Sequence, residues 1–237
     1  MKQSSNKDTA LLVFSLSGAQ EAVRKPLFGR KNKQAGSDFF NLLIKETAKI
    51  AEASGIDVFW INEQQQRGSD FASRFTHAFE DLYAKGYDNV LSIGNDCPEL
   101  TIDRLKTAID QLQQKKIVLG PAEDGGVYLI GLPKAQFDAE TFSKLPWQQT
   151  DLYEQMVLEA KLQRESFYLL DALADIDCQK DALAFAERDP ASALSLFIIA
   201  HLPQGKTAIT TLEFAVYSKI FDAALPLRAP PFFPIAA

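Results

Sequence analysis

Histidine and cysteine are scarce in this chain, with two of each in 237 residues. Cys97 and Cys178 stand far apart, which excludes a disulfide framework and points to a reducing compartment. The two histidines and two cysteines also lack the paired spacing of a structural zinc site. No apolar run approaches the ~18 residues of a membrane span. The opening MKQSSNKDTA has no apolar stretch of signal-peptide length, so the expected location is the cytoplasm. A surplus of positive charge is missing too. The net charge of −6 disfavours a general nucleic-acid or acidic-membrane binder. There is no G-x-S-x-G elbow and no G-x-G-x-x-G fingerprint, which removes serine hydrolases and common dinucleotide enzymes. Gly205-Lys206-Thr207 imitates the end of a phosphate loop, but Ala200 stands where the first glycine should be.

What remains is an ordinary core-forming chain, 46% hydrophobic and 24% charged, long enough for one large domain. Ala10 to Ser15 is a continuous apolar run of the kind found in strands covered on both faces. A polar, glycine-containing stretch follows through Gly36. Ser37 or Asp38 is the expected cap of a helix reaching about Ala53. Further strands are expected at Asp57 to Ile61, Asn89 to Ile93, from Ile117, and at Val127 to Leu132. Phe71, Phe75, Ala78, Phe79 and Leu82 repeat at helical spacing. Thr101 can cap a helix to about Gln114. A helix at Leu152 to Leu162, a strand at Ser166 to Leu170 and a helix from about Gln179 complete the alternation.

This order of elements predicts an α/β three-layer sandwich with a mostly parallel central sheet. Residues 1–9 read as a polar lead-in and 10–189 as the domain. Residues 190–237 read as an extension with two helices and a proline-rich apolar end. Such an end is expected to pack on the domain or on a second copy of the chain.

Two loops carry the chemistry. Ligands of open α/β sheets bind beyond the carboxyl ends of the strands. Asp96 falls three residues past the apolar run Val90 to Ile93, inside Gly94-Asn95-Asp96-Cys97-Pro98. A carboxylate there suits magnesium or manganese, which take hard oxygen ligands and share them with substrate phosphates. An ordinary turn or helix cap would also use an aspartate. The second loop is Gly120-Pro121-Ala122-Glu123-Asp124-Gly125-Gly126. Paired glycines let a ligand approach the main chain, although Asp-Gly is equally a hairpin signal. Two such loops, each following a strand, favour a shared site.

The segments GNDCPEL and LGPAEDGGVYLIGL resemble the hallmark segments of DUF2064, a bacterial family of glycosyltransferase-A-like (GT-A) proteins. The resemblance extends to Gln66, Gly68, Phe71 and Arg74, to Pro146-Trp147, and to Asp175-Ile176-Asp177 with Asp181, and covers about residues 10 to 185. It implies a GT-A, nucleotide-diphospho-sugar-transferase-like (Rossmann-like) fold holding a nucleotide or nucleotide sugar. A divalent ion, magnesium or manganese, would be held by Asp96, with Asp177 or Asp175 as a second ligand. The family's basic loop after the first strand is altered here to GAQEAVRKPLFGRKNK. Arg24 falls where the family lysine would sit, Pro26 replaces an arginine and Glu21 a glycine. Phosphate recognition would then fall to Arg24 and Lys25, with Arg30 or Lys31 as further candidates.

The expected assignments are Asp96 and Asp124 as catalytic residues, and Arg24, Lys25, Arg74, Gly125 and Gly126 toward the nucleotide and phosphates. Gln66, Gly68 and Trp147 fall on the substrate side, and Asp96 and Asp177 on the metal. The expected activity is metal-dependent transfer from a nucleotide-activated donor, glycosyl transfer first and nucleotidyl transfer close behind. A nucleotide-binding scaffold that has lost catalysis is the alternative, motivated by the altered loop.

Overall fold

The structure is a computed structural model and describes residues 8–202. Its centre is a six-stranded sheet. The strands are β1 (Thr9–Phe14), β2 (Asp57–Ile61), β3 (Asn89–Ile93), β4 (Ile117–Pro121), β5 (Val127–Pro133) and β6 (Phe167–Leu169). Their spatial order is β2-β1-β3-β5-β4-β6. β1 pairs parallel with β2 and β3, and β4 with β6, while β5 is antiparallel to both of its neighbours. The sheet is therefore mostly parallel, with one reversed strand that the sequence pattern did not disclose.

β1 shows why this chain makes a covered sheet. Successive strand side chains point to opposite faces. Ala10 and Leu12 enter the apolar layer on one face and Leu11 and Val13 that on the other, all fully buried. Burying a Leu or Val side chain contributes about 1.5–3 kcal/mol, so neither face can be left to water. The first face is covered by α3 (Phe71–Ala84), α5 (Ala139–Ser143) and α6 (Leu152–Leu162). The second is covered by α4 (Ile102–Gln113) and the end of α2 (Lys33–Ala53). The caps follow the expected chemistry. Asp70 forms a capping box with Ser73 at the start of α3, and Thr101 Oγ1 accepts from the Arg104 amide at the start of α4.

Two local expectations need correction. The stretch after β1 is not all loop, because Gly18–Arg24 forms a helix, α1. Also, α2 starts at Lys33, with Asn32 at the N-cap position but making no side-chain cap bond, rather than at Ser37 or Asp38. Both corrections have one cause, close packing of α1 on α2. A Cβ on Gly18 would lie 2.4 Å from Asn41 Oδ1, and one on Gly36 would lie 2.9 Å from the Ala22 Cβ. Small residues that read as loop in isolation are contact points here.

A third apolar layer joins α1 and α2 to α7 (Gln179–Arg188) and α8 (Ala193–His201), with Phe39, Phe185 and Ile198 at its centre. The second expected C-terminal helix and the proline-rich end lie outside the described residues, as does any dimer contact they would make. Among the described residues no helix is long and apolar enough to cross a membrane.

Candidate nucleotide site

A cavity of about 730 Å³ opens where β1, β3 and β4 end and the reversed β5 begins. Ser15, Asn95, Asp96, Asp124, Gly126 and Asp177 all reach it, so both loops singled out in the sequence open into one space.

The β1 side is built by α1. The Ser17 hydroxyl caps α1, and the Glu63 carboxylate accepts from both the Ser17 amide (2.8 Å) and its hydroxyl (2.6 Å). The helix stops at Arg24 because Pro26 follows Lys25, and the residue before a proline is disfavoured in the α region. Lys25 accordingly leaves the helix at φ −119°, ψ 82°. Its side chain turns inward and is only 6% exposed.

The Lys25 ammonium lies 2.7 Å from Asp96 Oδ2, 2.5 Å from Asp177 Oδ1 and 3.4 Å from the Ile176 carbonyl oxygen. Its three N–H donors thus meet three acceptors. Burial alone would pull the lysine pKa down, but Asp96 and then Asp177 hold it above its ordinary value. Burial would likewise raise Asp96, yet the lysine keeps it below the usual carboxylate range. The Asp96 side chain remains 23% exposed. It is open to the cavity but already partnered.

Asp175 has a different fate. Burial first, and the Asp96 charge second, push its pKa up to about 8. Its Oδ1 is buried without a hydrogen-bond partner. Neither Asp175 nor Asp177 caps α7. Asp181 does that work, accepting from the amides of Asp177 and Cys178. Both carboxylates are left facing the cavity.

The glycine loop is spent differently from the expectation. The Gly125 amide donates to the Ala122 carbonyl and the Gly126 amide to Asp124 Oδ1. These amides close their own turn, so Gly125 and Gly126 offer no free N–H cradle in this conformation. Gly125 is required by shape. Its φ is +92°, and a Cβ would fall 1.9 Å from the Thr150 carbonyl oxygen. Gly68 is also structural. At φ +139° it lies against Ser73 and the Arg74 amide, and it does not reach the cavity.

Arg74, Gln66 and Trp147 do line the cavity. Gln66 Nε2 donates to the carbonyls of Ser15 and Ile61, which ties its loop to the end of β1. Arg74 Nε is buried without a hydrogen-bond partner. Trp147 packs on Phe71, Phe75 and Phe142, and its indole N–H donates to the Phe142 carbonyl. Phe14 joins this group through Phe71 and Phe75. Arg24 borders the cavity but leans on Glu21 at 3.3 Å, whereas Arg30 and Lys31 are exposed and do not reach it. Sequence reading missed Glu21 as a buried acid. Burial raises its pKa, and no pattern in the sequence marks it.

Among the described residues no three histidine, cysteine or acidic side chains converge to hold a metal unaided. Two carboxylates do converge, on Lys25.

The strand order, the covering helices and the cavity beyond the strand ends define a nucleotide-diphospho-sugar-transferase-like fold. A crystal structure of a protein provisionally named a nucleotide-diphospho-sugar transferase, from Desulfovibrio desulfuricans G20, superposes with a TM-score of 0.71. It is 21% identical, over 80% of this chain and 93% of that one. Rv0371c from Mycobacterium tuberculosis H37Rv matches with a TM-score of 0.50 at 12% identity, over 77% of this chain and 100% of that one. A manganese complex of Rv0371c matches at 0.43 and 14% identity, over 76% and 98%. No curated protein matches the chain.

Part of the sequence also matches a family model. Residues 45–149 match the model of DUF2064, described as an uncharacterised protein conserved in bacteria. The resemblance read from GNDCPEL and the glycine loop is thereby shown over that span. The span takes in Gln66, Arg74, Asp96, Asp124 and Trp147. It stops short of Arg24, Lys25 and Asp177, which complete the ionic part of the cavity.

Proposed function

We propose that this protein binds a nucleotide-activated donor in the cavity and transfers its glycosyl group, with nucleotidyl transfer as the close second reading. The observation that carries the proposal is the convergence of Lys25, Asp96 and Asp177 at the strand ends of a nucleotide-diphospho-sugar-transferase-like fold. Both transfers share one need, stabilisation of charge on a departing phosphate.

A divalent cation is implied by the fold, and the residues fit one under a condition. Two carboxylates plus ligand phosphates make a common magnesium or manganese set, and Asp96 and Asp177 would be the protein's share. Bound there, the ion would supply charge neutralisation at the phosphates. The chain's own residues do the rest. Lys25 and Arg24 supply cationic donors for phosphate oxygens. Arg74, with an unpartnered Nε, can bind an anionic or carbonyl group of donor or acceptor. Trp147 and Phe71 offer apolar surface for a base or sugar face. Asp124 borders the same space and is the candidate acceptor-side base.

The test is thermal shift with nucleotides and nucleotide sugars, with and without Mn²⁺. A rise in Tm with one donor class, lost in Asp96→Ala, is expected. Absence of any shift across the donor set rejects the proposal and favours a scaffold without catalysis.

A further inference from the structure

The cavity wall carries five carboxyl side chains against Arg24, Lys25 and Arg74. Asp96, Asp124 and Asp177 alone match the three cations in number, so phosphate binding here calls for an added cation. The place with paired carboxylates is between Asp96 and Asp177. Lys25 already fills it, with its ammonium within 2.7 Å of both and 6% exposed.

We propose that Lys25 is the resident cation of the ligand-free site. It keeps a free divalent ion off Asp96 and Asp177, and yields to one only when a phosphate arrives to take over the ammonium. The proposal rests on the phosphate-bearing ligand argued above. Three features of the site support it. Two carboxylates without a third ligand bind a free divalent ion weakly, and an ammonium held by both weakens that binding further. Breaking two close ion pairs in a mostly buried place is unfavourable unless the released charge finds a partner. Phosphate oxygens are such a partner, and the four-carbon stem of lysine lets the head swing while its base stays packed. The altered loop then has a function. Pro26 ends α1 at the point that sends Lys25 inward, so Arg24 is left at the rim.

The test reads Mn²⁺ uptake by electron paramagnetic resonance on metal-free protein, where bound ion loses the free-ion signal. Wild type, Lys25→Met and Lys25→Arg are compared, each with and without inorganic pyrophosphate, and melting curves confirm that each is folded. Lys25→Met is expected to take up free Mn²⁺ about tenfold more tightly than wild type, the equivalent of ~1.4 kcal/mol. Lys25→Arg keeps the charge and is expected to exclude the ion as wild type does, and Lys25→Gln, equally uncharged, replaces Lys25→Met if the latter fails to fold. Pyrophosphate should raise uptake in wild type beyond the signal loss that pyrophosphate, itself a Mn²⁺ ligand, causes without protein. Equal uptake of free Mn²⁺ by all three proteins overturns the role of the lysine, whatever the ligand. Tight uptake in Lys25→Met with no pyrophosphate effect in wild type overturns the exchange with phosphate, while the donor reading itself stands or falls on the thermal-shift test. The lysine would then remain only as the occupant of the site.

Discussion

Phe75 and Lys25 line the same cavity and are buried to the same degree, each 6% exposed, yet different forces hold them. Phe75 sits among Phe14, Phe71, Phe79, Phe142 and Trp147, with ring centroids 4.8–5.6 Å away. Its burial is favourable in itself, because apolar area leaves water and aromatic edges meet faces. Lys25 is buried against its own solvation, and it stays because Asp96 and Asp177 meet it there. One wall of the cavity supports the fold. The other is tolerated by the fold and is available for work. Substitutions should divide along that line.

The largest effect is expected from Phe75→Ala, which removes a ring shared by five aromatic neighbours. A loss of about 3–4 kcal/mol in urea unfolding follows from the range for buried Phe→Ala changes. A loss below ~1 kcal/mol would show that the aromatic wall is not a stability element, and the contrast would fail.

Asp96→Ala comes next. The motif alone suggests a residue poised on a rim, whose removal would leave the fold untouched. The structure changes that expectation, because the change strips a buried lysine of one partner. Asp177 remains and Asp96 is partly exposed. The loss should therefore be about 1–3 kcal/mol, under the figure for a fully buried broken pair. Asp177→Ala, whose side chain is 50% exposed, should lose under ~1 kcal/mol. Both variants should lose any donor-dependent thermal shift. Equal and negligible losses in stability would mean that Lys25 finds solvent without its partners.

The ionic wall should also answer to pH. Burial and the neighbouring Asp96 charge let Asp175 hold its proton up to about pH 8 in the fold, against 3.8 for an ordinary aspartate. Between those values the folded chain binds more protons than the unfolded one, so this group's contribution is fully present below pH 3.8. It is lost as the pH rises through about 8. Asp175→Asn removes the titration. In metal-free buffer its Tm advantage over wild type should grow from near zero at pH 4 to about 3 °C or more at pH 8.5. A pH-independent difference would deny the raised pKa.

The two walls were unequally legible in the sequence. The aromatic wall announces itself, because Phe71, Phe75 and Phe79 repeat at helical spacing and α3 is where they predict it. β2 and β3 fall on their expected bounds for the same reason, apolar runs closed by turn residues. The ionic wall was half visible. Asp96 and Asp124 could be named as candidates from their loops and Asp177 from the family resemblance, but Lys25 lies 71 residues from Asp96 and 152 from Asp177, and no local pattern encodes such a pairing. α1 has seven residues, too few for a helical period to stand out, and its defining contacts are made with α2. The spare amides imagined at Gly125 and Gly126 show the converse error. A glycine pair reads the same whether its N–H groups face a ligand or close their own turn, and here they close the turn.

The smallest expected effect isolates how α1 is anchored. Glu63 reaches from the loop after β2 to accept two hydrogen bonds from Ser17, and those bonds lower its pKa despite partial burial. A carboxylate at a helix N-terminus is favoured by the dipole as well as by the bonds. Glu63→Ala should therefore lower Tm by only about 2–4 °C, equivalent to ~1 kcal/mol in a domain of this size. Its second readout matters more. If α1 sets the aim of Lys25, loosening its start should weaken the lysine's hold on Asp96 and Asp177, and Glu63→Ala should admit free Mn²⁺ more readily than wild type. Phe75→Ala, despite its greater loss of stability, should not. The reverse ranking would show that the aromatic packing, rather than the Ser17–Glu63 tether, keeps the lysine between its two carboxylates.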